Sequence, residues 1–122
     1  MKADTQCKLS VTPDNKVLVY DIGTEIANYI EKDDSFSSDL FEFNFKDVDT
    51  SLVVQTTKGN FIRYSRSDYR LDAFIEGVWK DISFTVAGNE TSFNDIAVYK
   101  NFVVIGTGDG LFIFDEDDLL GL

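Results

Sequence analysis

Apolar and polar residues alternate with a period of two along most of the chain, the signature of half-buried strands. "CKLSVT" (7–12) and "KVLVYD" (16–21) flank "PDN", where Asp14 and Asn15 tolerate the left-handed backbone of a tight turn. "FEFNFK" (41–46) sets Phe41, Phe43 and Phe45 on one face and Glu42, Asn44 and Lys46 on the other. "SLVVQTT" (51–57) and "NFIRYSR" (60–66) meet across Lys58 and Gly59. "DISFTVA" (81–87), "DIAVYK" (95–100), "FVVIGT" (102–107) and "LFIFD" (111–115) continue the pattern. In "YRLDAFIEGVWK" (69–80) the aromatics and Ile75 favour a strand over the second half. One segment departs: "TEIANYIEKDD" (24–34) spaces Ile26, Tyr29 and Ile30 at i, i+3 and i+4, with Thr24 as a cap, and predicts a short amphipathic helix. The expected fold is mainly β, an antiparallel sandwich or barrel-like sheet built from hairpins, with one short helix near 24–33. A single domain over residues 1–122 is expected.

Composition adds a real core to this picture. Hydrophobic residues make up 43% of the 122, and Phe alone occurs 11 times, which excludes a disordered chain. No apolar run approaches the ~20 residues of a membrane helix. "MKADTQCKLSV" lacks the apolar stretch of a signal peptide, so a cytoplasmic protein with no membrane partner is expected. Cys7 is the one cysteine and is expected as a buried free thiol.

Charge narrows the partners. Eleven Lys and Arg face 22 Asp and Glu, a net of −11. Both halves are acidic, with 6 basic and 11 acidic groups in residues 1–61 and 5 and 11 in 62–122. Phosphates and anionic membranes would be repelled, so direct nucleic-acid binding is disfavoured and a basic protein partner favoured. Two acidic concentrations stand out. The first is 31–49, which carries Asp33, Asp34 and Asp39 around Phe36. The second is "DEDD", Asp115, Glu116, Asp117 and Asp118. Read as a docking patch, these carboxylates meet a partner's cations, with Phe36 and Tyr69 as aromatic anchors. Read as solvated surface, they serve solubility.

Candidate chemistry is sparse. "GTGDG" (106–110) has the glycines of a phosphate cradle, but a strand and four acids follow it rather than a helix, so a hairpin turn at Asp109–Gly110 is expected. "DEDD" lacks the ligand order of a calcium loop, and no metal or cofactor is expected. Arg63, Arg66 and Arg70 cluster in "RYSRSDYR" and are expected to pair with acids such as Asp68 and Asp72. There is no histidine, the commonest general base, and no enzyme activity is expected.

Two resemblances follow. "FNFKDVDTSLVVQTTKGNFIRYS" (43–65) and "FNDIAVYKNFVVIGTGDGLFIFD" (93–115) share a layout: Phe-Asn, an apolar strand, a Thr and Gly turn, a second strand. The layout is similar to the inner hairpin of a propeller blade of the WD or kelch kind, though a chain of this length has room for only three blades, below the roughly four at which propellers close. In size, acidity and lack of catalytic residues the chain resembles the immunity proteins that bacteria make against polymorphic or contact-delivered toxins. That resemblance implies an inhibitor covering the active site of a basic nuclease toxin. The alternatives are a propeller-like interaction or assembly module and a nucleic-acid-mimic inhibitor.

Overall fold

In the computed structural model, residues 7–21, 26–30, 41–43, 52–65, 68–83 and 92–121 are described. Their strands fall into three antiparallel sheets that follow chain order. The first sheet holds β1 (Cys7–Val11), β2 (Val17–Asp21), β3 (Ile26–Ile30) and β4 (Phe41–Glu42). The middle sheet holds β5 (Leu52–Gln55), β6 (Phe61–Ser65), β7 (Arg70–Ile75) and β8 (Val78–Asp81). The last holds β9 (Phe93–Tyr99), β10 (Phe102–Thr107) and β11 (Gly110–Asp115), and a short helix, α1 (Glu116–Leu120), follows. Each sheet is a meander in which strands adjacent in sequence are adjacent in space.

Turn chemistry fixes the registers. In Thr12–Lys16 and in Thr56–Asn60 the same five-residue loop recurs. The Thr N–H donates to the carbonyl four residues on, at 2.9 and 2.8 Å, and the Thr Oγ1 accepts from that residue's N–H at 3.0 Å in both. The fourth position is left-handed in each, Asn15 at φ 63° and Gly59 at φ 86°. Gly110 also has the expected positive φ, at 127°.

The sheets stack face to face. Leu18, Tyr20, Ala27 and Phe43 of the first sheet meet Val53 and Phe61 of the middle one. Phe43 packs edge-on against Phe61 and Phe74 at 4.9 and 5.7 Å, and Trp79 donates to the Phe43 carbonyl. The opposite face of the middle sheet, with Val54, Ile62, Tyr64, Leu71 and Ala73, packs on Phe93, Ile96, Val103, Ile105, Leu119 and Leu120. β6 is therefore buried at all five positions, because alternate side chains point into two different cores. Arg63 in that strand is 2% exposed. Its Nε donates to Asp72 at 2.9 Å, its guanidinium lies 4.4 Å from the Trp79 ring, and Arg70 completes the Asp72 pair at 2.9 Å.

The mainly β, hairpin-built, antiparallel fold expected from the sequence is present. The helix is not where the 24–33 pattern put it. Ile26–Ile30 is a strand, hydrogen-bonded to β2 and to β4, while 22–25 and 31–40 lie outside the described residues. The spacing i, i+4 of Ile26 and Ile30 fits one face of a strand as well as of a helix, and Tyr29 points the other way, donating to Gln55 at 3.0 Å. The segment 69–80 is a hairpin of β7 and β8, turning at Glu76 and Gly77 with φ of 53° and 78°. Of the strand expected over 81–87, only Asp81 is in β8, and 84–87 lie outside the described residues. The echo between 43–65 and 93–115 is out of phase with the fold. It matches β5 and β6, the first and second strands of their sheet, with β10 and β11, the second and third of theirs. The structural repeat instead sets β2, β6 and β10 in equivalent places, starting at 17, 61 and 102, intervals of 44 and 41 residues.

Gly110 has no neighbour within 4 Å of the position a Cβ would take, so only its backbone conformation resists substitution. Gly110→Val is expected to lower stability by roughly 1–3 kcal/mol, and Gly106→Ala, at an ordinary φ, by less than about 1 kcal/mol. Urea midpoints of the two variants measure the difference.

Candidate functional site

The first strand of each sheet lies beside the first strand of the next, β1 against β5 and β5 against β9. Together they line a groove of about 520 Å³. Leu9, Val11, Leu52, Val54, Ile96 and Val98 give it apolar walls, and Ser10, Thr12, Asn15 and Gln55 contribute polar groups. Tyr20 ties two of the walls, its hydroxyl accepting from the Val53 N–H at 2.7 Å. At the turn beside the groove the Thr12 hydroxyl donates to Asp14 and holds that carboxyl below its usual pKa. The groove has the size of small-molecule sites, and it joins three elements that are far apart in sequence.

The stack leaves its last sheet bare on one face. On the last sheet, one face is spent on the middle sheet. The register puts Tyr99 and Asp115 beside Phe102, Ala97 and Ile113 beside Val104, and Asp95 and Leu111 beside Gly106 on the other. Leu111 is 66% exposed, Tyr99 63%, Ile113 61% and Phe102 40%. On the first sheet Leu9 and Val11 of the edge strand are exposed, but Val19 beside Leu9 and Asn28 beside Val19 are buried, so the outward face of that sheet is covered beyond β1. Exposed apolar residues gathered on one sheet face, rather than scattered, mark an interaction surface.

The acidic run at 115–118 is built into the fold. Asp115 caps α1, accepting from the Asp117 N–H at 3.0 Å and from Asn101 Nδ2 at 2.7 Å. Glu116 is 1% exposed. Its carboxylate accepts from Thr56 Oγ1 at 2.6 Å, Asn60 Nδ2 at 2.7 Å and the Lys58 N–H at 3.3 Å. Asp117 pairs with Lys58 and raises the pKa of that ammonium. Thr57 donates to the Lys100 carbonyl, and the Glu116 N–H to that of Asn101 at 2.8 Å. The helix thus clasps the β5–β6 turn to the β9–β10 turn. Gly121, left-handed at φ 71°, ends it by donating to the Asp117 carbonyl.

The predicted site residues are accordingly divided. Glu116 leaves the docking set, because three internal donors already hold its buried carboxylate. Asp115 is a helix cap, Asp117 an exposed ion-pair partner, and Asp118 is exposed. Tyr69 is 48% exposed at the β6–β7 turn. That turn is the other end of β6 from the clasp, roughly 15 Å away at the rise of a strand, so the structure does not bring Tyr69 and the acidic run together. Asp33, Asp34, Phe36 and Asp39 lie outside the described residues, as does Arg66. Arg63 and Arg70 pair internally through Asp72, as expected of this cluster. Sequence reading missed the bare face of the last sheet. Its signal was present: Leu111 and Ile113 alternate with Phe112 and Phe114, so both faces of β11 are apolar, one more than a single core requires. Among the described residues, no three carboxylate, thiol or imidazole groups converge to hold a metal ion, and no helix is long and apolar enough to cross a membrane.

No protein-family model and no curated protein sequence matches the chain. Among solved structures it is similar to selenomethionine-substituted virginiamycin B lyase from Staphylococcus aureus, with a TM-score of 0.50 and 13% identity over 93% of this chain and 42% of that one. A catalytically inactive form of the lyase with quinupristin gives 0.46 and 12% over the same shares. The chain spans about two fifths of the length of the lyase it matches, and the likeness is one of fold.

Cutting the clasp is expected to cost stability. Glu116→Ala strands three donors that now share one buried carboxylate, and a loss of about 3 kcal/mol is expected. Asp118→Asn changes an exposed side chain, and a shift within about 0.5 kcal/mol is expected. Equal losses for the two in chemical denaturation would contradict the division of the acidic run.

Proposed function

We propose that the chain is a non-catalytic, propeller-like assembly module, an arc of three sheets that joins other protein through the exposed face of its last sheet. The observation that carries this reading is the joint exposure of Tyr99, Phe102, Leu111 and Ile113 on one face of a sheet whose other face is core. Repetition within the chain supports it. Both faces of the middle sheet are covered by neighbouring sheets, so the last sheet carries a face of the kind that is covered elsewhere in the stack.

The net charge of −11 supports a second reading, an acidic cytoplasmic inhibitor of the immunity-protein kind that covers the active site of a basic nuclease toxin. Its determinants are Asp117, Asp118, Tyr69 and the acids of 33–39. The two readings respond oppositely to salt. A complex held by carboxylates weakens as salt screens them, whereas apolar contacts do not.

A photo-crosslinking residue at position 113 tests the first reading in cells of the source organism. A covalent protein adduct from position 113, with none from position 118, is expected. An adduct from 118 alone, weakened by salt, would transfer the function to the acidic reading.

A further inference from the structure

Independently of the last sheet's face, we infer that the groove between the first strands binds an extended, uncharged peptide segment of a partner protein, and that the segment pairs with the free edge of β1. Three observations lead there. First, the hydrogen-bond phase turns the backbone of Leu9 and Val11 toward that edge. β1 is the end strand of its sheet and pairs with β2. Antiparallel partners alternate between pairs that exchange both backbone bonds and pairs that exchange none. The Thr12 N–H donates to the Lys16 carbonyl, and two steps along the register stands Ser10 opposite Leu18. Ser10 therefore holds β2, and the N–H and C=O groups of Leu9 and Val11 point the other way. The same count on β5, from the Thr56 N–H bond to the Asn60 carbonyl, sends Val53 to its free edge. There its N–H is met from outside the sheet, by the Tyr20 hydroxyl at 2.7 Å.

Second, β1 is the edge left open. On β5 the Tyr20 hydroxyl occupies the Val53 N–H, and on β9 the Asp95 carboxylate occupies the Ile96 N–H at 2.9 Å. Leu9 and Val11 stay 60% and 73% exposed, and β1 pairs with β2 over five residues without a bulge. Proteins ordinarily blunt such an edge, because it is a template for another strand.

Third, the groove selects against charge. None of the residues lining its 520 Å³ is Asp, Glu, Lys or Arg, in a chain where these make up 27% of residues. A charged side chain entering it would be desolvated with nothing to pair with. Leu52, Val54 and Val98 supply apolar wall opposite β1. The edge itself asks for a donor and an acceptor at Leu9 and again at Val11, about 7 Å further along the strand. An extended peptide repeats both groups at that spacing.

Phage display of random linear heptapeptides on the full chain supplies the probe, and the enriched peptide is then synthesised. Uncharged sequences with apolar residues at alternate positions are expected. Hydrogen exchange of the isotope-labelled chain is the first readout. The Leu9 and Val11 amides are expected to exchange freely in the chain alone and to slow about tenfold or more with the peptide, while Ser10 is protected in both. Two isomers of the peptide, N-methylated at odd or at even positions, separate strand pairing from other binding. One isomer is expected to keep its affinity and the other to lose about tenfold or more, because only alternate amides of a paired strand face its neighbour. Val11→Pro removes an edge donor without cutting a bond to β2, and an affinity loss of about tenfold is expected. Circular dichroism checks folding, and Leu9→Asp, which puts a charge on the wall, replaces Val11→Pro if that variant is unfolded. Ile113→Lys, on the last sheet, is expected to leave the affinity unchanged. No enriched peptide, a charged consensus, or equal binding of the two isomers would overturn the inference. So would binding that Ile113→Lys abolishes and Val11→Pro leaves intact. The adduct from position 113 does not depend on this groove, so the assembly reading stands or falls separately.

Discussion

The β6 strand of the middle sheet is buried on both faces, and the rest of the structure follows from that constraint. β6 has no solvated side: Phe61 faces one core, Ile62 and Tyr64 the other, and Arg63 is accommodated only because Asp72 and the Trp79 ring receive it. A buried guanidinium without those partners would be strongly destabilising. Burying both faces forces sheets onto either side, and chain order decides which: the first sheet on one, the last on the other. Meander connections between sequence neighbours then keep each sheet self-contained.

Stacking in this way has a direct functional consequence. Each sheet added to a stack covers one face and brings another, and at the last sheet the outward apolar residues stay exposed. The chain spends its polar residues on holding the stack in shape. Glu116 and Asp115 fasten one pair of turns, and Tyr64 reaches the Asn94 carbonyl at 3.2 Å across the same pair of sheets. On the outward face of the last sheet Tyr99, Phe102, Leu111 and Ile113 stay exposed, with Asp95 and Asp115 at its two ends. The acidity that dominates the composition is in part this internal fastening, and the remainder is surface charge.

Sequence periodicity made the fold class legible because period-two alternation is a local property, and the turns were legible because Asn15, Gly59 and Gly110 are residues that tolerate a left-handed backbone. The helix was misplaced for a physical reason. Three apolar residues at i, i+3 and i+4 fit a strand almost as well, and partners on both sides of Ile26–Ile30 supply hydrogen bonds that a short isolated helix would lack. The helix at Glu116–Leu120 had its signals in "DEDDLLG": an Asp cap, acids in the first turn, two Leu for the core and a Gly to end it. Read as charge, the same letters suggested a docking patch. The buried role of Glu116 depends on Thr56 and Asn60, about sixty residues away, and no local pattern reports that distance. The third-sheet face was half legible, since β11 is apolar on both sides, but which side is bare depends on how the sheets stack.

Hydroxyl-radical footprinting of the purified chain, alone against bound to the protein crosslinked from position 113, tests the central claim that the last sheet's bare face is a protein contact. The account predicts that Tyr99, Phe102, Leu111 and Ile113 lose labelling together in the complex, while Tyr69 and Val78, exposed but outside that face, keep it. Labelling of all six that is unchanged by the partner, or protection that falls on Tyr69 and Val78 instead, would contradict it.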